Sequence, residues 1–191
     1  NATRFALMRV VEGEIPSLDA IRDQLSIADR WILSRLQVAT EKANSGIKNY
    51  NFAETADSIY HFFWDELCDW YIELAKGSLS DDAPEETRRA TSAVLLTVLD
   101  QAMRMLHPMC PFQSEEIWQT LPGRQTRWSS VRFCAEAPYP IADETLIDTD
   151  AENRIGQLQE AVTLIRNGRH ESGLPMQKKV PVVIVSDDTE L

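Results

Sequence analysis

The sequence has no apolar run near the roughly 20 residues that a helix needs to cross a bilayer. It also lacks the basic and then apolar beginning of a secretory signal peptide. Its three cysteines are widely spaced and odd in number, a pattern that fits neither a disulfide framework nor a zinc site. These absences predict a protein of the reducing cytoplasm with no membrane partner and no bound metal.

Residue types that build active sites are scarce as well. The chain has three histidines, His61, His107 and His170, and none stands in a metal-ligand spacing. Its seven glycines are scattered, so no glycine-rich loop is present to hold a phosphate group. Acidic pairs such as Glu115 and Glu116 fall at predicted helix starts, where the helix dipole accounts for them. We therefore expect no catalytic residue in this chain and no cofactor bound to it.

Basic residues are fewer than acidic ones, and the formal net charge of the 191 residues is −11. Such a balance disfavours a protein that coats nucleic acid without specificity. The charge is uneven, however: residues 1–50 carry +1, residues 51–125 carry −8 and residues 126–191 carry −4. An acidic protein can still bind RNA through a local patch, and the first 50 residues repel a phosphate backbone least.

Apolar residues recur every three or four positions along most of the chain, which predicts amphipathic helices. The expected helices cover residues 2–11, 26 or 29 to about 47, 52–76, about 84–107, 114–121 and 150–170. Asn51 and Ser114 are the expected N-caps of two of them. The predicted buried face of the third helix comprises Phe52, Ala56, Ile59, Phe63, Leu67, Trp70 and Leu74. The fourth is apolar over a wide arc, which predicts that it is central.

The pattern as a whole predicts a mainly α fold. We expect an antiparallel helical bundle over residues 1–123 and a small α/β appendage over residues 124–191. Residues 180–185 are apolar and β-branched, which predicts a strand in the appendage. On the third helix, we expect Trp64 and Tyr71 to lie in the core. The chain begins without Met and ends after this strand, so we expect it to be part of a longer protein.

Cations and one aromatic ring are the best candidates for a binding function. Arg4 and Arg9 flank Phe5 on the first helix, and a flat ring beside cations suits an unstacked RNA base. The full set of candidate RNA contacts is Arg4, Phe5, Arg9, Lys42, Lys48, Arg166, Arg169, Lys178 and Lys179. The alternative for the set is structural, with Phe5 in the core and the cations solvated.

Three segments are similar to the class I aminoacyl-tRNA synthetases for valine, isoleucine and leucine. Residues 1–5 read Asn-Ala-Thr-Arg-Phe, and residues 29–36 read Asp-Arg-Trp-Ile-Leu-Ser-Arg-Leu. Residues 107–112 read His-Pro-Met-Cys-Pro-Phe and are followed by Glu-Glu-Ile-Trp at 115–118.

Two further segments resemble the valyl-tRNA synthetases in particular. Residues 64–73 contain Cys-Asp-Trp-Tyr where the isoleucine enzymes usually have Ser-Asn-Phe/Tyr-Tyr. Residues 165–181 begin with Ile-Arg-Asn and contain Lys178 and Lys179.

The resemblance implies that the bundle is an anticodon-binding domain. It implies a cytoplasmic, monomeric parent enzyme that attaches valine to its tRNA, using ATP and magnesium in a catalytic core outside this chain. An editing domain and a C-terminal coiled coil would lie outside it too. Valine anticodons share a middle adenine and a final cytosine, so we expect Phe5 to stack on a base and Arg4 to bond a base edge or phosphate. Two alternatives stay open: the same domain of an isoleucyl- or leucyl-tRNA synthetase, and a structural helical module that docks protein.

Overall fold

The computed structural model describes residues 2–11, 16–175 and 177–183, apart from the side chain of Ala2. The chain divides into two compact units, Asn1–Asp148 and Thr149–Leu191. Within the described residues the regular structure is helical and no strand is present, so the prediction of a mainly α fold is confirmed. None of the helices in these residues has the length and apolar character of a membrane span.

The first unit contains seven α-helices among its described residues. They are α1 (Ala2–Arg9), α2 (Ile27–Lys48), α3 (Phe52–His61), α4 (Ile72–Ser78), α5 (Glu85–Leu106), α6 (Pro111–Thr120) and α7 (Arg124–Arg127). A π-helical segment, Phe62–Tyr71, joins α3 to α4 without a break. Short 3₁₀ turns cover Leu18–Gln24, Cys134–Glu136 and Glu144–Leu146. The second unit contains α8 (Thr149–Glu171).

Helix starts follow the capping signals in the sequence at two of three places. The Asp29 N–H donates to the Ser26 hydroxyl at 3.2 Å, and the Ser26 N–H donates back to the Asp29 carboxylate at 3.0 Å. Asn51 accepts the Glu54 N–H at 3.3 Å, as predicted. The prediction for Ser114 is wrong, because α6 begins three residues earlier at a proline, whose missing N–H is an orphan group at that position anyway.

The central helix of the bundle is α5, as its wide apolar arc predicts. Every residue from 90 to 100 is buried, and the helix contacts α1, α2, α3, α4 and α6. Leu36 of α2 and Leu95, Leu99 and Met103 of α5 have no exposed surface. The two long helices therefore supply the middle of the core, and the shorter helices lie around them.

The π-helical segment changes which residues of the third predicted helix are buried. Its turns close between residues five apart, so the buried positions move away from the α-helical spacing. The observed buried residues are Thr55, Ile59, Phe62, Leu67, Tyr71, Ile72 and Ala75. Trp64, inside the segment, is 52% exposed, so the prediction that it is buried is wrong. The prediction is also wrong for Phe52 and Ala56, which are exposed in α3 before the segment begins. Tyr71 is fully buried, as predicted.

Two buried carboxylates join the helices of the first unit. Asp29 of α2 accepts the Tyr71 hydroxyl at 2.6 Å and the Thr91 hydroxyl of α5 at 3.2 Å. Burial first, and then the charge of Asp29, raise the pKa of Tyr71 well above its usual value. The phenol is therefore neutral and keeps its proton to donate, which satisfies a carboxylate that is only 1% exposed.

The second carboxylate belongs to Asp100 of α5, which is 4% exposed. One of its oxygens accepts the indole N–H groups of Trp118 and Trp128, each at 2.8 Å. The other oxygen accepts the Arg104 guanidinium at 2.8 Å. The Arg104 guanidinium also lies 4.9 Å from the centroid of the Trp128 ring. Asp100 thereby fixes α6 and the segment after α7 to the central helix.

The first unit extends to Asp148, whereas the sequence pattern placed the end of the bundle at residue 123. Residues 140–148 run along α2 and are held to it by polar contacts. Asp143 donates its N–H to Gln37 and Asp148 donates its N–H to Ser34, each at 2.9 Å. The Asp148 carboxylate also pairs with Arg30 at 2.8 Å. The helical pattern stops near residue 123, but the packing continues.

In the second unit the described residues form α8 and an irregular segment after it. The helix covers the range predicted for it to within one residue at each end. Residues 180–183 do not form the predicted strand, and residues 184 and 185 lie outside the described residues. A strand needs a partner for its backbone groups, and the described part of the chain offers none here.

Candidate functional site

The predicted aromatic site lies on α1. Arg4 and Arg9 are exposed, Phe5 is half-buried and Ala6 is fully buried. Lys76 of α4 lies over the Phe5 ring, with its ammonium nitrogen 5.9 Å from the ring centroid. The ring therefore has a cation beside it, and part of its surface stays open to solvent.

The position of α1 on the bundle is fixed at its carboxyl end. The Val11 N–H donates to the Ser92 hydroxyl of α5 at 3.2 Å. Lys76 in turn pairs with Glu73 on its own helix, with an N–O distance of 2.6 Å. Because Glu73 partly offsets its charge, Lys76 is more of a packing neighbour for Phe5 than a strong phosphate ligand.

The candidates on α2 lie in an electrostatic field that is less favourable for binding a phosphate group. Lys42 and Lys48 are both exposed. Lys42 lines a cleft of about 450 Å³ between α2 and α3, whose charged lining residues include Arg35, Glu54, Asp57 and Glu66. Arg35 pairs with Glu66 at 2.7 Å. The lining has three carboxylates, the two cations Arg35 and Lys42, and His61, so the cleft is a weak place to bind a phosphate group.

The basic residues of the second unit divide by role. Arg169 donates to the carbonyl oxygens of Pro175 at 2.9 Å and Lys178 at 3.0 Å, which folds the chain back over the end of α8. Its guanidinium is thus used to hold the backbone. Arg166, Lys178 and Lys179 are exposed. The contacts of Arg169 hold Lys178 close to the end of α8.

The predicted residues therefore form three groups. Arg4, Phe5 and Arg9 lie on α1, Lys42 and Lys48 lie on α2, and the four basic residues 166, 169, 178 and 179 lie in the second unit. Sequence reasoning missed Lys76, because its contact with Phe5 joins residues far apart in the chain.

Exposed aromatic side chains around α3 were also missed. Tyr60 and Trp64 are 56% and 52% exposed, and their ring centroids are 6.4 Å apart. Tyr50 and Phe52 are 83% and 58% exposed, and their ring centroids are 6.5 Å apart. Such rings can stack on bases, but His61 and Asp65 beside them form an exposed pair and carboxylates are frequent nearby. The sequence signal for Trp64 was its absence from the predicted buried face of the third helix.

A compact group of metal-ligating residue types lies at the other end of α5. Among the described residues, His107, Glu115 and Cys134 each place one ligand atom within 4.8 Å of the others. Burial, followed by the charge of Glu115, raises the pKa of the Cys134 thiol to about 12. No spacing in the sequence indicates this group, because Cys134 follows the other two residues only after a turn and an irregular segment.

Comparisons with known proteins cover nearly the whole chain. Residues 29–184 match the protein family described as the anticodon-binding domain of tRNA ligase. The chain is 40% identical over 184 residues to the valine–tRNA ligase of Fervidobacterium nodosum, which covers 96% of the chain and 20% of that protein. It is 36% identical over 191 residues to the valine–tRNA ligase of Staphylococcus saprophyticus, covering 100% of the chain and 21% of that protein. The chain thus spans about one fifth of the length of these relatives.

Proposed function

Because the chain belongs to the family of anticodon-binding domains of tRNA ligases, we propose that it binds the anticodon arm of a valine-accepting tRNA as part of a valine–tRNA ligase. The family match over residues 29–184 is the observation that carries the proposal. The names of the relatives favour valine over isoleucine or leucine, and the family itself favours tRNA binding over a purely structural role. The whole enzyme would be a cytoplasmic monomer that uses ATP and magnesium in its remaining part.

The chemistry of α1 supports a role in reading the anticodon. Phe5 keeps part of its ring open, and a stacked base contributes roughly 1–3 kcal/mol. Arg4 and Arg9 are exposed on the same short helix and can donate to a base edge or to phosphate oxygens. In this proposal Phe5 stacks on a base of the anticodon and Arg4 holds that base or its phosphate.

The remaining candidates are proposed as phosphate contacts of unequal strength. Arg166, Lys178 and Lys179 are exposed in the second unit. The Arg169 guanidinium donates to the backbone carbonyl oxygen of Lys178 and so holds that residue in place. Lys42 is the weakest member because of the acidic cleft that it lines. Lys48 is the last residue of α2 and is exposed.

The test compares two tRNAs and two phenylalanine variants. Fluorescence anisotropy of the full-length enzyme would measure binding of valine tRNA and of the same tRNA with its middle anticodon base changed. We expect the wild type to prefer the first, and Phe5→Ala to weaken its binding by about 5- to 150-fold, the equivalent of 1–3 kcal/mol. Phe112→Ala is the matched control, since this ring is 90% exposed on α6.

The outcomes separate the alternatives. Equal binding of the two tRNAs would favour the structural module over an anticodon reader. A preference for isoleucine or leucine tRNA would assign the domain to an isoleucyl- or leucyl-tRNA synthetase instead. If Phe5→Ala binds valine tRNA as tightly as Phe112→Ala does, the site on α1 is refuted although the domain can still bind RNA elsewhere.

A further inference from the structure

We propose that His107, Glu115 and Cys134 form a binding site for a divalent transition-metal ion of the zinc type. The three residues offer one nitrogen, one oxygen and one sulfur atom, all within 4.8 Å of one another. Zinc takes these ligand types at roughly 2.0–2.3 Å, so atoms that share it tetrahedrally lie about 3–4 Å apart. A shift of about an ångström in these ligand atoms would bring separations of up to 4.8 Å into that range.

The backbone around the site is well held. His107 directly follows α5, Glu115 lies in α6 and Cys134 begins a 3₁₀ turn that contacts α6. The Cys134 N–H donates to the Glu115 carboxylate at 2.8 Å, so this turn is already tied to the helix. Cys134 is 2% exposed. The three ligands therefore come from segments whose relative positions are fixed without an ion.

Ser114 prepares the imidazole of His107 for a metal. Its hydroxyl oxygen lies 2.8 Å from Nδ1 of His107, and also 2.8 Å from the carbonyl oxygen of Cys110 and 3.1 Å from that of Pro111. The hydroxyl has one proton for these three acceptors. In the proposed site that proton goes to one of the carbonyl oxygens, and Nδ1 donates its own proton to the hydroxyl oxygen. The other ring nitrogen is then unprotonated and has a lone pair for a metal ion.

The charges of the ligands balance the ion. A Glu115 carboxylate and a Cys134 thiolate together offset the two positive charges of zinc, and neutral imidazole adds none. On binding, the S–H bond of Cys134 breaks, the sulfur–metal bond forms and the proton leaves to solvent. Three protein ligands leave the fourth position for water. The ion would join the end of α5 to α6 and to the segment after α7.

The test uses Co²⁺ as a spectroscopic probe on the full chain, purified and stripped of metal. We expect one equivalent of Co²⁺ to give a cobalt–thiolate charge-transfer band that Zn²⁺ then abolishes. Cys134→Ser should eliminate this band. Cys68→Ser and Cys110→Ser are matched controls that should retain it, since both thiols lie outside the site. Ser114→Ala should lower the metal affinity by about 10- to 100-fold, because it removes the group that orients the imidazole.

A second measurement keeps the outcome clear if a variant folds poorly. Glu115→Gln retains an oxygen that can accept the Cys134 N–H, so we expect it to fold, yet Zn²⁺ should raise the Tm of the wild type and not of this variant. The site is refuted if no charge-transfer band forms with Co²⁺, if the band survives in Cys134→Ser, or if Zn²⁺ raises the Tm of both proteins equally. None of these measurements involves tRNA, so their failure leaves the proposed function untouched.

Discussion

Replacing Asp100 with asparagine should destabilise the first unit by about 3 kcal/mol. The change keeps the volume of the side chain but removes the charge that pairs with Arg104, and breaking one partner of a buried ion pair costs about 3–5 kcal/mol. The amide oxygen can still accept from the indoles of Trp118 and Trp128, which is why we expect the lower end of this range. The amide nitrogen then faces a guanidinium that has only donors to offer.

Urea unfolding followed by tryptophan fluorescence measures this effect directly. All five tryptophans lie in the first unit, so the signal reports that unit alone. With a slope of about 2 kcal/mol/M, the midpoint should fall by about 1–2 M. Asp81→Asn is the matched control, since its side chain is 90% exposed and the expected change is under about 0.5 kcal/mol.

A double-mutant cycle with Arg104→Met tests the reason for the loss. Because the guanidinium and the carboxylate are in contact, their effects should deviate from additivity by about 0.5–3 kcal/mol. The reasoning fails if Asp100→Asn shifts the midpoint no more than Asp81→Asn does. It also fails if the cycle is additive, because the carboxylate would then not act through its pair with Arg104.

Three other predictions concern pH, space and salt. The folded protein raises the pKa of Tyr71 above 10.0, so its contribution to stability is complete below that pH and is lost as pH rises above it. Tyr71→Phe should therefore flatten the decline of the urea midpoint at alkaline pH. An identical decline in both proteins would refute this. In Gly46→Ala the new methyl would meet the Thr55 hydroxyl and lie 3.0 Å from a carbonyl oxygen, so we expect the free energy of unfolding to fall by about 1–3 kcal/mol. Gly156→Ala places its methyl in open space and should raise the free energy of unfolding by about 0.5–1 kcal/mol. Calorimetry distinguishes the two signs. Lys178→Gln should reduce the slope of log K against log salt for tRNA binding by about one unit, and an unchanged slope would exclude a phosphate contact.

Helix positions could be predicted where the signal is local. The hydroxyl of Ser26 and the amide of Asn51 bond backbone groups within three residues, so composition and spacing are enough to place α2 and α3. The π-helical segment could not be found in this way, because the 3.6-residue period was assumed throughout. Trp64 was expected in the core because it lies on a long amphipathic helix, but its ring is exposed on the surface.

The candidate site was predictable as residue types and not as contacts. Exposed Arg4 and Arg9 follow from their charge, since isolated cations are rarely buried. That Lys76 covers Phe5, and that Arg169 is occupied by carbonyl oxygens, depends on the tertiary fold. The group around Cys134 shows the same limit, because no periodicity brings it to His107.

The contacts of residues 140–148 with α2 have a consequence for synthesis on the ribosome. Arg30 meets Asp148 only after 118 further residues have been added, and Ser34 waits for 114. At about 5–20 residues per second, this delay lasts about 6–24 seconds, during which these side chains face water or other partners. The first unit therefore completes its fold late, and a nascent chain that stops before Asp148 would leave this side of α2 uncovered.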